Sequence, residues 1–308
     1  MYGFDYVCPG SLGETLSFLA SCEGAARPLA GGTNLIPQLR WQEAKEGCVE
    51  KREGRPDFLV SLRRLKELEG LSDEGDYWRV GSMTKLKALA GGEVGEAIPL
   101  LRHVAQGMAS PEIRNVATVG GNLCNGNSAA DLLGPVYALD GRVRLASLSG
   151  ERVLGVDRFY KGPHRTALAG AEIMTALELP KKLCSAAWGR SVYATRPTMG
   201  MTLASASVVA APEAPGSTRP VRLALALASG RPVVLELALS EDLETAQDLV
   251  EHELVSVLRR QASKIAACHY AQENPQVPAW YLERRAIMAC RDALAQAWPG
   301  LAAKRCVR

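Results

Sequence analysis

Residues 110–131 read Ser-Pro-Glu-Ile-Arg-Asn-Val-Ala-Thr-Val-Gly-Gly-Asn-Leu-Cys-Asn-Gly-Asn-Ser-Ala-Ala-Asp, and residues 29–35 read Leu-Ala-Gly-Gly-Thr-Asn-Leu. Each stretch predicts a Gly-Gly pair at a turn, followed at once by small polar side chains. Glycine lets the backbone approach a ligand closely and adopt a positive φ angle. Successive free N–H groups in such a turn form an anion-binding nest. Two such loops in one domain therefore suit a long ligand with a central pyrophosphate, held from both sides.

The same residues resemble the FAD-binding subunits of the molybdenum hydroxylases, the family that includes xanthine dehydrogenase and carbon monoxide dehydrogenase. The first FAD loop of that family reads roughly Ala-Gly-Gly-Thr-(Asp/Asn)-Leu, which residues 30–35 match throughout. Its second loop reads roughly Ile-Arg-Asn-x-Ala-Thr-(Ile/Val)-Gly-Gly-Asn, then a polar turn and an Asp, which residues 113–122 and Asp131 match. Weaker similarities extend the resemblance along almost the whole chain, at residues 60–68, 80–84, 172–180 and 281–285.

The resemblance implies an α+β fold in two domains. Residues 1–182 are expected to form a two-part FAD-binding domain of the PCMH (vanillyl-alcohol-oxidase-like) type, with parts at about 1–55 and 56–182. Residues 185–308 are expected to form a small C-terminal domain of the CO dehydrogenase flavoprotein type, an antiparallel sheet plus helices. Local patterns agree with this, because 203–211 and 222–228 look like strands, 211–218 like a hairpin loop, and 241–267 and 281–297 like helices.

The predicted FAD contacts lie on the two loops and on one later strand. N–H groups at residues 31–34 are expected to face the pyrophosphate, with residues 120–122 approaching it from the other side. Asn125 is predicted to bond a phosphate or ribityl oxygen. Asp131 either accepts a hydroxyl of the ribityl or ribose group or caps the following helix. Ile173 lies where the family brings an apolar residue near the isoalloxazine, with plain core as the alternative. The full predicted set is Leu29, Ala30, Gly31, Gly32, Thr33, Asn34, Leu35, Thr118, Gly120, Gly121, Asn122, Asn125, Asp131 and Ile173.

Two other residues near the second loop have competing interpretations. Arg114 is a surface charge, a support for the loop, or a contact for a partner subunit. Cys124 is predicted to be a small buried residue rather than a redox thiol.

Composition excludes several classes of function. A net charge of +3 is too small to indicate nucleic-acid binding. No apolar run reaches the about 18 residues of a membrane span, and the first residues do not resemble a signal peptide, so a cytoplasmic protein is expected. The eight cysteines and four histidines are scattered without C-x-x-C or H-x-x-x-H spacing, which predicts no metal or iron–sulfur site in this chain.

The resemblance implies an oxidoreductase subunit in which FAD carries electrons and no residue of this chain is catalytic. Molybdopterin is expected in a large partner subunit and [2Fe–2S] clusters in a small one, with NAD or another acceptor receiving the electrons. Two alternatives remain open at the level of sequence. One is a self-contained flavoenzyme of the same fold superfamily, such as an enolpyruvyl reductase or an oxidase. The other is a scaffold subunit that binds FAD without redox turnover.

Overall fold

The computed structural model describes residues 3–22, 24–46, 55–195, 202–211, 219–227, 230–239, 247–256 and 279–298. Helices and antiparallel or parallel strands alternate irregularly along these residues, which confirms the predicted α+β class. Three sheets organise the molecule, and a short hairpin of β8 (Tyr160–Gly162) and β9 (Arg165–Thr166) accompanies them.

A three-stranded parallel sheet forms the N-terminal part. Its strands are β1 (Asp5–Val7), β2 (Ala26–Leu29) and β3 (Phe58–Ser61), in the order β1-β3-β2. Ser11 is the N-cap of helix α1 (Leu12–Ser21), because its side chain accepts a hydrogen bond from the N–H of Glu14 at 3.2 Å. Helix α2 (Leu35–Glu46) follows β2. The central strand β3 pairs with both β1 and β2.

A five-stranded antiparallel sheet forms the second part. Its strands are β4 (Leu71–Glu74), β5 (Tyr77–Gly81), β6 (Arg142–Ser147), β7 (Gly150–Gly155) and β10 (Ile173–Pro180), in the order β4-β5-β10-β6-β7. The central strand β10 is buried along its whole length. The helices of this part are α3 (Leu86–Ala90), α4 (Gly92–Ala97), α5 (Pro99–Gly107), α6 (Pro111–Val116), α7 (Val119–Cys124), α8 (Leu133–Ala138), α9 (Val156–Phe159) and α10 (Lys181–Cys184). The largest core cluster joins α3, α5 and α8 to this sheet.

A four-stranded antiparallel sheet forms the C-terminal part. It runs in chain order through β11 (Ala187–Ala194), β12 (Thr202–Ala210), β13 (Arg219–Leu227) and β14 (Val233–Leu239). The helices are α11 (247–256) and α12 (Ala279–Ala297). The strands predicted at 203–211 and 222–228 correspond to β12 and β13, and the helix predicted at 281–297 corresponds to α12, as far as the described residues extend. Most of the predicted hairpin loop at 211–218 and most of the predicted helix at 241–267 lie outside the described residues.

The C-terminal sheet is covered by helices on both faces. On one face, the backbones of β11 and α12 approach so closely that a Cβ added to Gly189 would lie 1.9 Å from the Ala293 carbonyl oxygen. On the other face, a Cβ at Gly134 of α8 would contact the Ala226 Cβ at 3.4 Å. Small residues on the strands and glycine on the helix therefore let α8 pack directly on β12 and β13. This contact places the end of the predicted second loop beside the C-terminal sheet.

Candidate functional site

The first loop, residues 30–34, leads from the end of β2 into α2. Within the described part of the chain, the backbone N–H groups of residues 31–34 donate to no carbonyl or side chain. The loop is half-buried, and Gly32 has a φ of +69°, a conformation that glycine adopts without steric cost. Free N–H groups in a half-buried turn at the start of a helix form an anion site. The first loop thus presents free N–H groups at the residues for which the sequence predicts an anion-binding nest.

Gly31 brings this loop into backbone contact with the second glycine-rich segment. A Cβ at Gly31 would lie 2.2 Å from the Val116 carbonyl oxygen and 2.9 Å from the Ala117 Cα. Both are backbone atoms, so no flexible side chain can move aside to make room. A Cβ at Gly121 would lie 3.6 Å from the Ala30 Cβ. The two segments predicted to hold one ligand therefore lie against each other.

The second segment is helical, and the turn predicted at residues 120–121 is wrong. Thr118 is the N-cap of α7, and its Oγ1 accepts a hydrogen bond from the N–H of Gly121 at 3.0 Å. Gly120 is needed for packing rather than for a positive φ, because a Cβ there would lie 2.7 Å from the Ser82 Cβ. The Thr-x-Gly-Gly pattern here encodes a helix cap followed by a close contact with the neighbouring chain segment.

The backbone N–H groups of this segment are bonded inside the protein. Gly120 donates to the Ser82 carbonyl at 2.7 Å, and Asn122 donates to the Thr118 carbonyl at 3.0 Å. With Gly121 also bonded to Thr118, the expected second nest is not formed. The segment therefore offers side chains, rather than N–H groups, to a ligand.

Three asparagines connect or face the two segments. The Asn34 Nδ2 donates a short hydrogen bond to the Asn125 Oδ1, which bridges the first loop and the end of α7. The Asn122 Oδ1 is buried and, among the described residues, has no hydrogen-bond partner. Leaving a buried acceptor without a donor costs about 1–3 kcal/mol, so native proteins rarely do so. A ligand with a hydrogen-bond donor would satisfy this oxygen.

Asp131 faces the C-terminal sheet. It does not cap α8, because Leu132 is the N-cap of that helix and no side chain caps it. Its Oδ1 accepts a hydrogen bond from the Thr202 Oγ1 at 3.3 Å and lies 3.7 Å from the Arg190 Nη2. Burial raises the pKa of Asp131, while the charge of Arg190 and the hydrogen bond from Thr202 oppose that rise. The side chain keeps 34% of its surface exposed, so the carboxylate still has room for a ligand hydroxyl.

Arg190 is a charged residue of this region that the sequence analysis missed. It lies on β11, is buried, and donates from Nη1 to the Ser207 Oγ at 3.2 Å. Burial lowers its pKa to about 10, against the opposing effect of Asp131. The available signal was a lone arginine within the otherwise uncharged strand Ala187–Ala194. Nothing in that strand says which of its faces is covered, so the sequence alone could not place the charge.

The apolar members of the predicted set lie around the first loop or in the core. Leu29, Ala30 and Leu35 are half-buried beside the loop. Ile173 is 2% exposed and belongs to the core cluster that contains Leu16. The structure thus favours the core interpretation of Ile173, which the sequence left open beside a flavin contact.

The two residues with competing interpretations both have structural roles. The Arg114 Nη1 donates to the carbonyl oxygens of Met108 at 2.6 Å and Ala109 at 2.8 Å. It therefore supports the turn before α6, where Ala109 has a φ of +43°. Burial raises the pKa of Cys124 to about 12, and its Sγ lies 3.7 Å from the Met174 Sδ. A buried thiol of this kind is unreactive.

These features fit FAD. The nest at residues 31–34 offers N–H donors to the negatively charged pyrophosphate. The orphaned Asn122 Oδ1 requires a donor, and the partly exposed Asp131 carboxylate can accept a hydroxyl. In the described ranges, no group of three or more His, Cys, Asp or Glu side chains could hold a metal ion. No helix among the described residues is both long enough and apolar enough to cross a lipid bilayer.

Comparison with known proteins gives the family. Residues 2–182 match the model of the FAD binding domain in molybdopterin dehydrogenase. The carbon monoxide dehydrogenase medium chain of Afipia carboxidovorans is 32% identical over 178 residues, which are 58% of this chain and 58% of that one. The xanthine dehydrogenase FAD-binding subunit of Escherichia coli is 32% identical over 184 residues, 58% of this chain and 59% of the relative. These matches thus span under two thirds of the relatives' lengths.

A solved structure extends the similarity to nearly the whole chain. A chain of the carbon monoxide dehydrogenase from Hydrogenophaga pseudoflava superposes with a TM-score of 0.76 at 26% identity. The superposition covers 96% of this chain and 97% of that one. It confirms the predicted fold, a PCMH-type FAD-binding domain followed by a C-terminal domain of antiparallel sheet and helices.

Proposed function

The chain belongs to the family of FAD-binding domains in molybdopterin dehydrogenases, with FAD as its cofactor, and on this premise we propose that it is the electron-transfer subunit of a molybdopterin-dependent dehydrogenase complex. Relatives that are subunits of dehydrogenase complexes already support an oxidoreductase role. The observation that carries the proposal is the backbone contact between Gly31 and Val116. It places a loop of four free N–H groups directly against the second glycine-rich segment of the same site.

In this proposal, the first loop binds the pyrophosphate through the N–H groups of residues 31–34. Asn122 accepts a hydrogen bond from the cofactor, and Asn125 contacts a phosphate or ribityl oxygen next to Asn34. Asp131 accepts a hydrogen bond from a ribityl or ribose hydroxyl. The remaining predicted residues shape the site through packing and capping: Leu29, Ala30, Leu35, Thr118, Gly120, Gly121 and, from the core, Ile173.

Bound FAD supplies the ability to accept and release electrons. The chain's own residues bind and orient it, and the proposal gives none of them a catalytic role. A large partner subunit with molybdopterin oxidises the organic substrate. A small partner subunit with [2Fe–2S] clusters delivers the electrons to this subunit, which passes them to an acceptor. NAD is not assigned as that acceptor, because neither the family description nor the relatives' names specify one. A cytoplasmic location remains a prediction from the sequence.

Anaerobic flavin bleaching tests this proposal. The visible absorbance of the flavin is followed in the lone FAD-loaded chain and in the chain purified with its partners, with a panel of organic substrates and with NADH. We expect an organic substrate to bleach the flavin only in the complex. An artificial reductant should bleach the flavin in both preparations, which serves as the control for redox competence.

Two results would overturn the proposal. Rapid bleaching of the lone chain by an organic substrate would identify a self-contained flavoenzyme. A flavin that no substrate bleaches in an active complex would identify a redox-inert scaffold. NADH bleaching in either preparation would identify a nicotinamide as the acceptor class without changing the assignment as a subunit.

A further inference from the structure

Arg190 is buried at the joint between the C-terminal sheet and the end of the second loop. Successive side chains of a strand point to opposite faces, and the neighbouring Gly189 packs against Ala293 of α12. Arg190 therefore points to the face that α8 covers. There its Nη1 donates to the Oγ of Ser207, its direct neighbour on β12. Its side chain is only 4% exposed, so water cannot balance the charge.

Among the described residues, the counter-charge of Arg190 comes from Asp131. The Asp131 Oδ1 lies 3.7 Å from the Arg190 Nη2. The Thr202 hydroxyl, which donates a hydrogen bond to the same Oδ1, is uncharged. The ring of His103 in α5 lies 5.2 Å from the ring of Trp188 on β11, at a tilt of 42°. Burial, and then the charge of Arg190, lower the pKa of His103, so this imidazole is neutral at neutral pH. The cation of Arg190 therefore acts on one carboxylate.

We infer that Arg190 is a positioning residue, which holds Asp131 ionised and in place so that its carboxylate can accept a hydrogen bond from a hydroxyl of FAD. This inference rests on the proposed function, which assigns Asp131 to the cofactor. Arg190 itself touches no part of the cofactor in this account. Its contribution is electrostatic, because a partly buried carboxyl without a nearby cation takes up a proton more readily.

The consequence is a pH dependence that appears only when the cation is removed. A carboxylate accepts a stronger hydrogen bond than a protonated carboxyl group does, so FAD binding through Asp131 is tighter in the ionised form. Burial alone raises the pKa of Asp131, and Arg190 limits that rise. In Arg190→Met, which keeps the length and apolar stem but not the charge, the pKa of Asp131 rises further. FAD affinity should then fall as the pH decreases through the new pKa and recover above it.

Equilibrium dialysis of FAD against the purified chain between about pH 5.5 and 8.5 tests this inference. Wild type should change little across this range. Arg190→Met should bind FAD about 10-fold more weakly at the acidic end, the effect of losing one hydrogen bond to a charged group, and should recover at the basic end. Arg190→Lys should restore a flat profile because it keeps the positive charge. Asp131→Asn should bind weakly at every pH and should abolish the pH dependence of Arg190→Met in the double variant.

Arg222→Met is the matched control. Arg222 lies on β13 of the same sheet, two strands from β11, but pairs with Asp140 and Glu236, whose side chains are 63% and 71% exposed. Its removal should leave the pH profile of FAD binding flat. Urea unfolding of each apo-protein separates folding defects from binding defects. If Arg190→Met does not fold, the pH profile of FAD binding by Arg190→Lys is compared with that of Asp131→Asn instead.

The outcomes distinguish this inference from the proposed function. A wild-type chain that binds no FAD would contradict the proposed function. A wild-type chain that binds FAD, together with an Arg190→Met profile that is unchanged or uniformly weaker at every pH, would contradict the inference alone. A uniform loss is what a purely structural arginine would produce.

Discussion

Adding one methyl group at Gly31 should separate the two halves of the cofactor site. The Cβ of Gly31→Ala would lie 2.2 Å from the Val116 carbonyl oxygen and 2.8 Å from its carbonyl carbon. Relief to an ordinary contact of about 3.4 Å requires the two backbones to part by about 1.2 Å. Overpacking of this kind costs about 1–3 kcal/mol. If FAD holds the segments in their native spacing, its dissociation constant should rise by about 5- to 150-fold.

The assay is equilibrium dialysis of FAD against Gly31→Ala and wild type, with urea unfolding of both apo-proteins. The apo-protein should lose less free energy of unfolding than the FAD complex, because the empty site can relax by opening. Gly170→Ala is the matched control, since nothing lies within 4 Å of a Cβ there and its φ is not positive. That variant should bind FAD like wild type. Unchanged FAD affinity in Gly31→Ala would refute the claim that the contact between the segments shapes the site.

Three further predictions follow from the same region and its supporting sheet. Gly121→Val should reduce FAD affinity, measured by dialysis, more than it reduces the free energy of unfolding of the apo-protein, because its Cβ would lie 3.0 Å from the Thr118 Oγ1. Equal losses of the two quantities would speak against a FAD site at this helix. Thr118→Val removes the cap of α7 and should cost about 1 kcal/mol of unfolding free energy in urea; no loss would mean that the cap is not needed. Glu172 accepts two hydrogen bonds from Arg152, each at 2.7 Å, and the side-chain hydrogen bond from Arg152 is the main cause that lowers its pKa. Its stabilisation is therefore present above the unfolded pKa and lost as the pH falls through the lowered folded pKa. Glu172→Gln should cost about 1 kcal/mol at pH 7, discounted because Arg152 is half-exposed, and progressively less as the pH falls through that folded pKa; a cost independent of pH would contradict this.

Local signals in the sequence were sufficient for the elements and for the first half of the site. The strand predicted at 203–211 and the helix predicted at 281–297 depend on local periodicity, and they correspond to β12 and α12. The first loop is also local, because a strand end, two glycines and a helix start follow one another directly at residues 29–35. Its free N–H groups are a property of that short segment.

The rest of the site depends on contacts between distant parts of the chain. Gly120 looks like a turn residue in the sequence, but glycine is required there because Ser82 lies too close to leave room for a side chain. The partner of Asp131 is Arg190, 59 positions away on a strand of the other domain. The strand pairing of β3 with β1 likewise joins residues about 50 positions apart. The sequence pattern of one segment does not predict such pairings, because they depend on the packing of the whole fold.

Hydrogen–deuterium exchange with and without FAD tests the central claim most directly. The amides of residues 31–34 have no partner within the described structure, so they should exchange fast in the apo-protein. Saturating FAD should protect them strongly. The amides of residues 120–122 are already bonded internally and should change little by comparison. Exchange at residues 31–34 that stays fast with FAD bound would contradict the assignment of this loop to the pyrophosphate.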